Sequence, residues 1–180
     1  MKPSRDIDEL CYSFIYDTSW LCDFEVATDE LCGHIGMSQV AMQHEMPDLA
    51  ADLNILQPLI FHANGSVRGQ LALNEEDVEW LKGCLNRYRQ EVDGAVRGFV
   101  LPRGDLPIPY LHLARSASKK AIRALVRVEQ EGREVPSIVV RFCNVVCNAL
   151  FAMTLVINHR RKIKEVPFVS LSYKSKTSDV

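Results

Sequence analysis

The sequence lacks the motifs that announce the common enzyme chemistries. It has no G-x-x-x-x-G-K-[ST] phosphate loop, no G-x-G-x-x-G, no G-x-S-x-G elbow and no H-E-x-x-H. Its five histidines, His34, His44, His62, His112 and His159, make no metal-binding pair. It lacks a surplus of positive charge: 21 Lys and Arg against 23 Asp and Glu leave a net charge of −2, which argues against a general nucleic-acid binder. No apolar run reaches the roughly 20 residues of a membrane span. The opening Met1-Lys2-Pro3-Ser4-Arg5-Asp6 leads into acidic residues and not into an apolar signal region. The expectation is a soluble cytoplasmic protein with no nucleic-acid partner and no membrane.

What is present is ordinary in balance. The chain has 180 residues, 47% hydrophobic and 24% charged, which fits one domain or one domain plus an arm. A chain of this length can hold a core without disulfides or metals. The cysteines are six, Cys11, Cys22, Cys32, Cys84, Cys143 and Cys147, with no C-x-x-C pair among them. Cys143 and Cys147 are four apart and share one face of a helix. Their neighbours Val145, Val146, Ala149 and Leu150 favour core packing. A metal pair is the alternative, and it needs two more ligands from a facing helix.

The apolar periodicity is helical throughout, with no internal repeat. It predicts helices over about 28–42, 47–63, 74–92, 110–130 and 136–159. Thr28-Asp29-Glu30 reads as a capped helix start, and Asn74 as another, followed by Glu75, Glu76 and Asp77. Between the third and fourth helices runs a loop rich in Gly and Pro, from Asp93 to Pro109. The last two helices are long and joined by a short turn, so they pack antiparallel. The expected fold is all-α: an up-and-down bundle of four to five helices over residues 25–160. Residues 1–24 form an aromatic-rich arm on the bundle or on a neighbouring subunit. Residues 161–180 form a polar tail, disordered from Lys174.

Four constellations could carry chemistry. Arg115, Lys119 and Arg123 fall on one stripe of the fourth helix, extended by Arg127, with Lys120 beside them and no acid between Arg115 and Arg127. Such a stripe repels itself unless it meets carboxylates or phosphates. It is either a solvated face or an anion site. On the fifth helix, Arg141, Asn144 and Asn148 are spaced i, i+3, i+7 in an otherwise apolar segment. They require partners, either in an interhelical hydrogen-bond network or in a polyphosphate or nucleotide site between helices four and five. Phe99-Val100-Leu101-Pro102-Arg103-Gly104 places an aromatic in a stiff loop, to plug the bundle end or to face a ligand. Asp29-Glu30 caps a helix or pairs with the basic stripe.

These segments resemble a known family. Phe99 to Gly104, with Leu111-His112-Leu113-Ala114-Arg115 and Lys119-Lys120-Ala121-Ile122-Arg123, is similar to the F-[VI]-L-P-G-G … H-x-A-R-x-x-x-R-R-A-E-R segment of the PduO-type ATP:cob(I)alamin adenosyltransferases. Arg141-Phe142-Cys143-Asn144 and Asn148-Ala149-Leu150-Phe151 resemble its R-Y-L-N-R-L-S-D-x-L-F, and Asp29 to Gly36 its D-E-L-N-S-x-I-G. The resemblance spans about Phe24 to His159 and implies a helical bundle that assembles as a homotrimer with sites between subunits. It implies transfer of the 5′-deoxyadenosyl group of ATP to the reduced cobalt of cob(I)alamin or a related corrinoid, releasing triphosphate. Magnesium accompanies the ATP, and a reductase is a possible further partner. The chemistry is largely the corrinoid's, so no catalytic side chain is implied. Carried over by motif, Phe99 faces the lower corrin surface. Lys119, Arg123 and Asn144 contact ATP. Asp29 and Arg115 make an interface salt bridge, and Arg141 and Asn148 support it. Which residues hold the magnesium is left open.

The departures are specific. The family opens with a Gly/Thr-rich T-K-T-G-D-x-G-T-T segment that wraps the triphosphate; before Asp29 this chain has Tyr12-Ser13-Phe14-Ile15-Tyr16-Asp17-Thr18-Ser19-Trp20. The family's paired arginines are Lys119 and Lys120, its A-E-R acid is Ile122, and the Asp of its S-D pair is Asn148. Three readings follow: a divergent adenosyltransferase, a relative without catalysis that binds a corrinoid or other tetrapyrrole, and a structural helical bundle.

Overall fold

The computed structural model describes residues 4–93 and 98–172. Five helices carry the chain: α1 Trp20–Met42, α2 Pro47–Gly65, α3 Glu75–Glu91, α4 Ile108–Gln130 and α5 Ser137–Arg160. The chain is all-α apart from one isolated β-bridge among the described residues, Val100 with Pro167.

Most helix ends fall where the chemistry of the termini puts them. Asn74 caps α3 by accepting from the Asp77 amide at 3.0 Å, and the Asp77 carboxylate accepts from the Asn74 amide at 2.9 Å, a reciprocal capping box. Pro47 opens α2 at the first turn, where its missing N–H costs nothing. The start of α1 differs from the expectation. It begins at Trp20, with Ser19 as N-cap, and not at Thr28. Thr28 is buried within the helix, where its hydroxyl donates to the Phe24 carbonyl at 2.9 Å and accepts from the Asn64 amide at 2.7 Å. Asp29 and Glu30 are therefore mid-helix residues, not caps. The apolar spacing Leu21, Phe24, Leu31, Ile35 is continuous across the expected boundary, and these four side chains are fully buried.

Chain order is not neighbour order. α4 packs between α1 and α5, while α3 packs on α5 and α2 on α1. Small residues allow the close approach of α4: Ala114, Ala117, Ser118 and Ala121 are all fully buried, and the Ser118 hydroxyl donates to the Cys143 carbonyl at 2.9 Å. α5 is long and apolar enough to span a membrane by composition, but it is the core helix, with Val139, Phe142, Cys143, Val146 and Leu150 buried against its neighbours. Cys143 packs as the sequence suggests, and full burial pushes its thiol up to about 12. All six cysteines are free thiols.

Two segments outside the helices shape the surface. The N-terminal arm is held by Arg68, whose guanidinium pairs with buried Glu25 at 2.6 and 2.8 Å, reaches Asp17 at 3.4 Å and lies 3.8 Å from the Phe14 ring centroid. Beyond α5, the residues read from the sequence as a polar tail fold back along the Phe99 loop. The Leu101 amide donates to the Val166 carbonyl and the Phe168 amide to the Phe99 carbonyl, both at 2.8 Å. The tail from residue 173 lies outside the described residues.

Candidate functional site

The basic stripe of α4 lines an open groove of about 960 Å³ between α4 and α1. Ser116, Lys119, Lys120, Arg123 and Arg127 form one wall; Asp23, Val26 and Glu30 of α1 form the other, with Ile15, Asp17 and Trp20 closing one end from the arm. The helical spacing explains the alignment, since residues three or four apart on α4 face the same way.

The charges within the groove are unequally neutralised. Glu30 accepts from the Lys120 ammonium at 2.9 and 3.0 Å, so the alternative pairing foreseen for this acid is the one made. Asp17 is engaged by Arg68, and its carboxyl is held below its usual range, first by the Ser19 amide. Arg127 lies 3.8 Å from the Trp20 ring centroid, a cation–π contact. Lys119 and Arg123 have no ion-pair partner among the described residues, and both are exposed. Two unneutralised cations one helical turn apart, in a groove of this volume, suit a polyphosphate.

The groove is tied shut at the arm end by Glu131, just past α4. Its carboxylate accepts from the Ser19 hydroxyl at 2.7 Å and from the Trp20 amide at 3.2 Å, satisfying donors at the α1 N-terminus. This locks the start of α1 to the end of α4 and fixes Trp20 in the groove wall. Neither Trp20 nor Glu131 was singled out by motif reading; the aromatic richness of the arm was the only available signal.

The other predicted residues lie elsewhere. The site expected between helices four and five is not the open groove. Arg115 is half-buried, its guanidinium 5.0 Å from the Phe151 ring centroid on α5. Its Nε is buried without a partner. Asn144 is exposed and donates to the Val140 carbonyl of its own helix at 2.8 Å. Asn148 is exposed, and Arg141 pairs with Glu75 of α3 at 2.7 and 2.8 Å. These three make no network with α4. Asp29 is exposed on α1 and lines a second pocket of about 520 Å³ with Tyr12, Phe61 and Asn64. Next to Arg115, burial and then the guanidinium charge push His112 down to about 4.

Phe99 stands 79% exposed at the loop end of the bundle. Because Val100 faces Pro167 in the bridge, Phe168 lies opposite Phe99 along the backbone, and its amide donates to the Phe99 carbonyl. Phe168 is itself 48% exposed. Two exposed aromatics thus stand at opposed backbone positions, and the motif supplied only Phe99.

Comparison with known proteins gives a consistent picture. Residues 19–157 match the family described as cobalamin adenosyltransferase. The chain is 29% identical over 147 residues to a corrinoid adenosyltransferase of Bacillus subtilis (strain 168), covering 78% of this chain and 75% of that protein. It is 29% identical over 135 residues to a cobalamin adenosyltransferase of Cupriavidus metallidurans, covering 72% and 70%. Among solved structures, it superposes with a TM-score of 0.76 at 22% identity on a phenylalanine-to-alanine variant of the PduO-type ATP:corrinoid adenosyltransferase from Lactobacillus reuteri, complexed with cobalamin and ATP, covering 85% of this chain and 88% of that one. An arginine-to-lysine variant of the Lactobacillus reuteri enzyme, complexed with ATP, superposes equally well, with a TM-score of 0.76 at 23% identity over 84% of this chain and 89% of that one.

Proposed function

Because the chain belongs to the cobalamin adenosyltransferase family, we propose that it is an ATP:corrinoid adenosyltransferase. Reduced cobalt attacks the ribose 5′ carbon of ATP. A cobalt–carbon bond forms, the carbon–oxygen bond to the triphosphate breaks, and the triphosphate leaves with the bonding pair. The corrinoid supplies the nucleophile. The chain's task is to hold the two substrates in line and to stabilise the departing anion.

The observation that carries this reading is the pair of unneutralised cations, Lys119 and Arg123, facing a groove large enough for a nucleoside triphosphate. The leaving triphosphate gains negative charge as the bond breaks, and fixed cations without carboxylate partners stabilise it most. The arm residues Ile15, Asp17 and Trp20 stand at this groove where relatives carry a Gly/Thr-rich segment, so the arm is this chain's own wall for the nucleotide. Magnesium brought with ATP would be held by the groove carboxylates Asp23 and Glu30 and would supply neutralisation of the triphosphate charge. Phe99, with Phe168 beside it, meets the lower corrin face. It displaces the axial base, so that cobalt can be reduced by a reductase of the cytoplasm.

The assembly is a homotrimer. Asp29 and Arg115 have no ion-pair partner in their own chain among the described residues, which supports a bridge between copies. In that arrangement Asn144 and Asn148, exposed on α5, would face the site from a neighbouring subunit.

The test is a visible-spectrum assay with purified protein, chemically reduced cobalamin, magnesium and ATP. Light-sensitive adenosylcobalamin is the expected product. A spectral change with cobalamin alone and no ATP-dependent product would make this a corrinoid-binding protein without transfer.

A further inference from the structure

We infer that Asn158 is a positioning residue: its buried side-chain amide ties the Phe99 loop to the C-terminal segment and so fixes where Phe99 stands. Its consequence for catalysis rests on the function proposed above; the tether itself does not.

Asn158 lies in the last turn of α5 and is 2% exposed. Its Nδ2 donates to Glu165 Oε1 at 2.8 Å and reaches the Arg103 carbonyl at 3.4 Å. Its backbone carbonyl accepts the Ile163 amide at 2.9 Å. One residue thus holds both segments that meet in the β-bridge, because Arg103 lies two residues beyond Leu101 and Glu165 directly precedes Val166. From the following residues Arg161 adds a second grip, donating to the Leu106 carbonyl at 2.7 Å while Glu45 holds its guanidinium.

The loop backbone lies directly against this amide. Gly104 has φ +144°, and a Cβ there would stand 2.5 Å from the Ile108 side chain and 3.1 Å from Asn158 Oδ1. That Oδ1 is buried without a partner. A residue kept only to fill the space would be apolar, since leucine of similar volume leaves no orphaned acceptor. What leucine cannot supply is an NH₂ group with two donors, one for a carbonyl and one for a carboxylate. Without that bridge, the exposed Phe99 depends on the two hydrogen bonds of the strand pairing alone. A ring that must press on one face of a planar macrocycle tolerates little displacement, and about 1 Å can cost about 100-fold.

Three variants of the full chain test this: Asn158→Leu, Glu165→Ala and Glu165→Gln. Glu165 is only half-buried, so its variants fold even where Asn158→Leu does not. Amide hydrogen exchange of the ligand-free protein reads the tether directly. In Asn158→Leu and Glu165→Ala, exchange at Leu101 and Phe168 is expected to rise about tenfold, while Glu165→Gln, which keeps an oxygen acceptor, stays near wild type. The second readout is the visible spectrum of cob(II)alamin with ATP present. The fraction with its lower base displaced falls, and KM for cobalamin rises about tenfold while KM for ATP stays within about twofold. Wild-type exchange in Glu165→Ala would overturn the inference, as would a parallel loss of ATP affinity. If the wild-type protein makes no adenosylcobalamin, the proposed function fails, and the exchange data alone decide the tether.

Discussion

Lys119 and Arg123 differ from Lys120, which Glu30 neutralises, and from Arg127, which lies over the Trp20 ring, in having neither contact, so each should carry a large share of phosphate binding. A charge-assisted hydrogen bond contributes about 1.5–3 kcal/mol, so Lys119→Ala or Arg123→Ala should lower kcat/KM for ATP by about 10- to 100-fold. Lys119→Arg, which supplies a bidentate fork, should match or improve the wild-type KM for ATP. Steady-state kinetics with varied ATP checks all three; full activity in both alanine variants would remove these residues from the site. The neighbouring His112 gives a pH signature. Held near 4 by burial and by Arg115, it is neutral in the folded chain, while the unfolded chain protonates it near its ordinary value of about 6.5. Between these values the unfolded state binds more protons. This contribution to stability is therefore complete above about 6.5, is lost as pH falls toward about 4, and changes no further below. Urea midpoints measured from pH 7 to 4 should fall less steeply in His112→Leu than in wild type. At this scale the sequence was informative in charge and poor in direction. The i, i+4 spacing aligned the cations of α4, but spacing on one helix says nothing about which neighbour they face. The expected partner was α5, and the groove opens toward α1. Asn144 and Arg141 illustrate the same gap: one bonds its own helix and the other pairs with α3.

At the scale of elements, α2 to α5 were legible because their ends carry strong local chemistry, such as the Asn74 capping box and the helix-opening Pro47. The start of α1 was misplaced because two signals competed. Thr28-Asp29-Glu30 looks like a cap, while Ser19 is a true one whose surroundings are aromatic and loop-like. The deciding interactions are tertiary: Glu131 satisfies the α1 N-terminus from α4, and Arg68 binds Glu25 from beyond α2. No local reading reveals either. The order of helices around the bundle was equally hidden, since it depends on the small-residue face of α4 meeting two partners. The arm clamp predicts a measurable cost. Glu25 is 4% exposed, so removing Arg68 leaves a buried carboxylate unpaired. Arg68→Ala should destabilise the fold by about 2–3 kcal/mol, below the usual range for a buried pair because the arginine side chain keeps 21% exposure. The urea midpoint should fall with the slope unchanged, and ATP affinity should weaken as Ile15 and Trp20 lose their support at the groove.

For the whole molecule, the surfaces left uncovered matter as much as the core. The outer face of α1 carries Val26, Met37 and Val40 at 47%, 43% and 62% exposure, with Gly33 between them, and Leu113 of α4 is 48% exposed nearby in the fold. Apolar and small residues at helical spacing on an outer face are what a helix contact between copies requires. Asp29 lies on that same face, and Arg115 points its charge at Phe151 with one nitrogen buried and unpartnered. Neither has an ion-pair partner in its own chain among the described residues. The proposed trimer would pair them with each other, and it makes a prediction that a structural role within the monomer does not. Wild-type protein should sediment at three times the 20.4 kDa chain mass. Asp29→Arg places two cations together across the contact; it should shift the species toward monomer and lower transferase activity about tenfold or more, since breaking a buried interfacial pair costs about 2–5 kcal/mol. Arg115→Asp should do the same. The double variant Asp29→Arg/Arg115→Asp restores opposite charges with reversed polarity, and it should recover the trimer in sedimentation velocity. Recovery in the double variant requires the two positions to meet. Because they do not meet within one chain, they must meet between chains. A single variant that stays trimeric with full activity would separate Asp29 from Arg115 and leave the assembly to the apolar face alone.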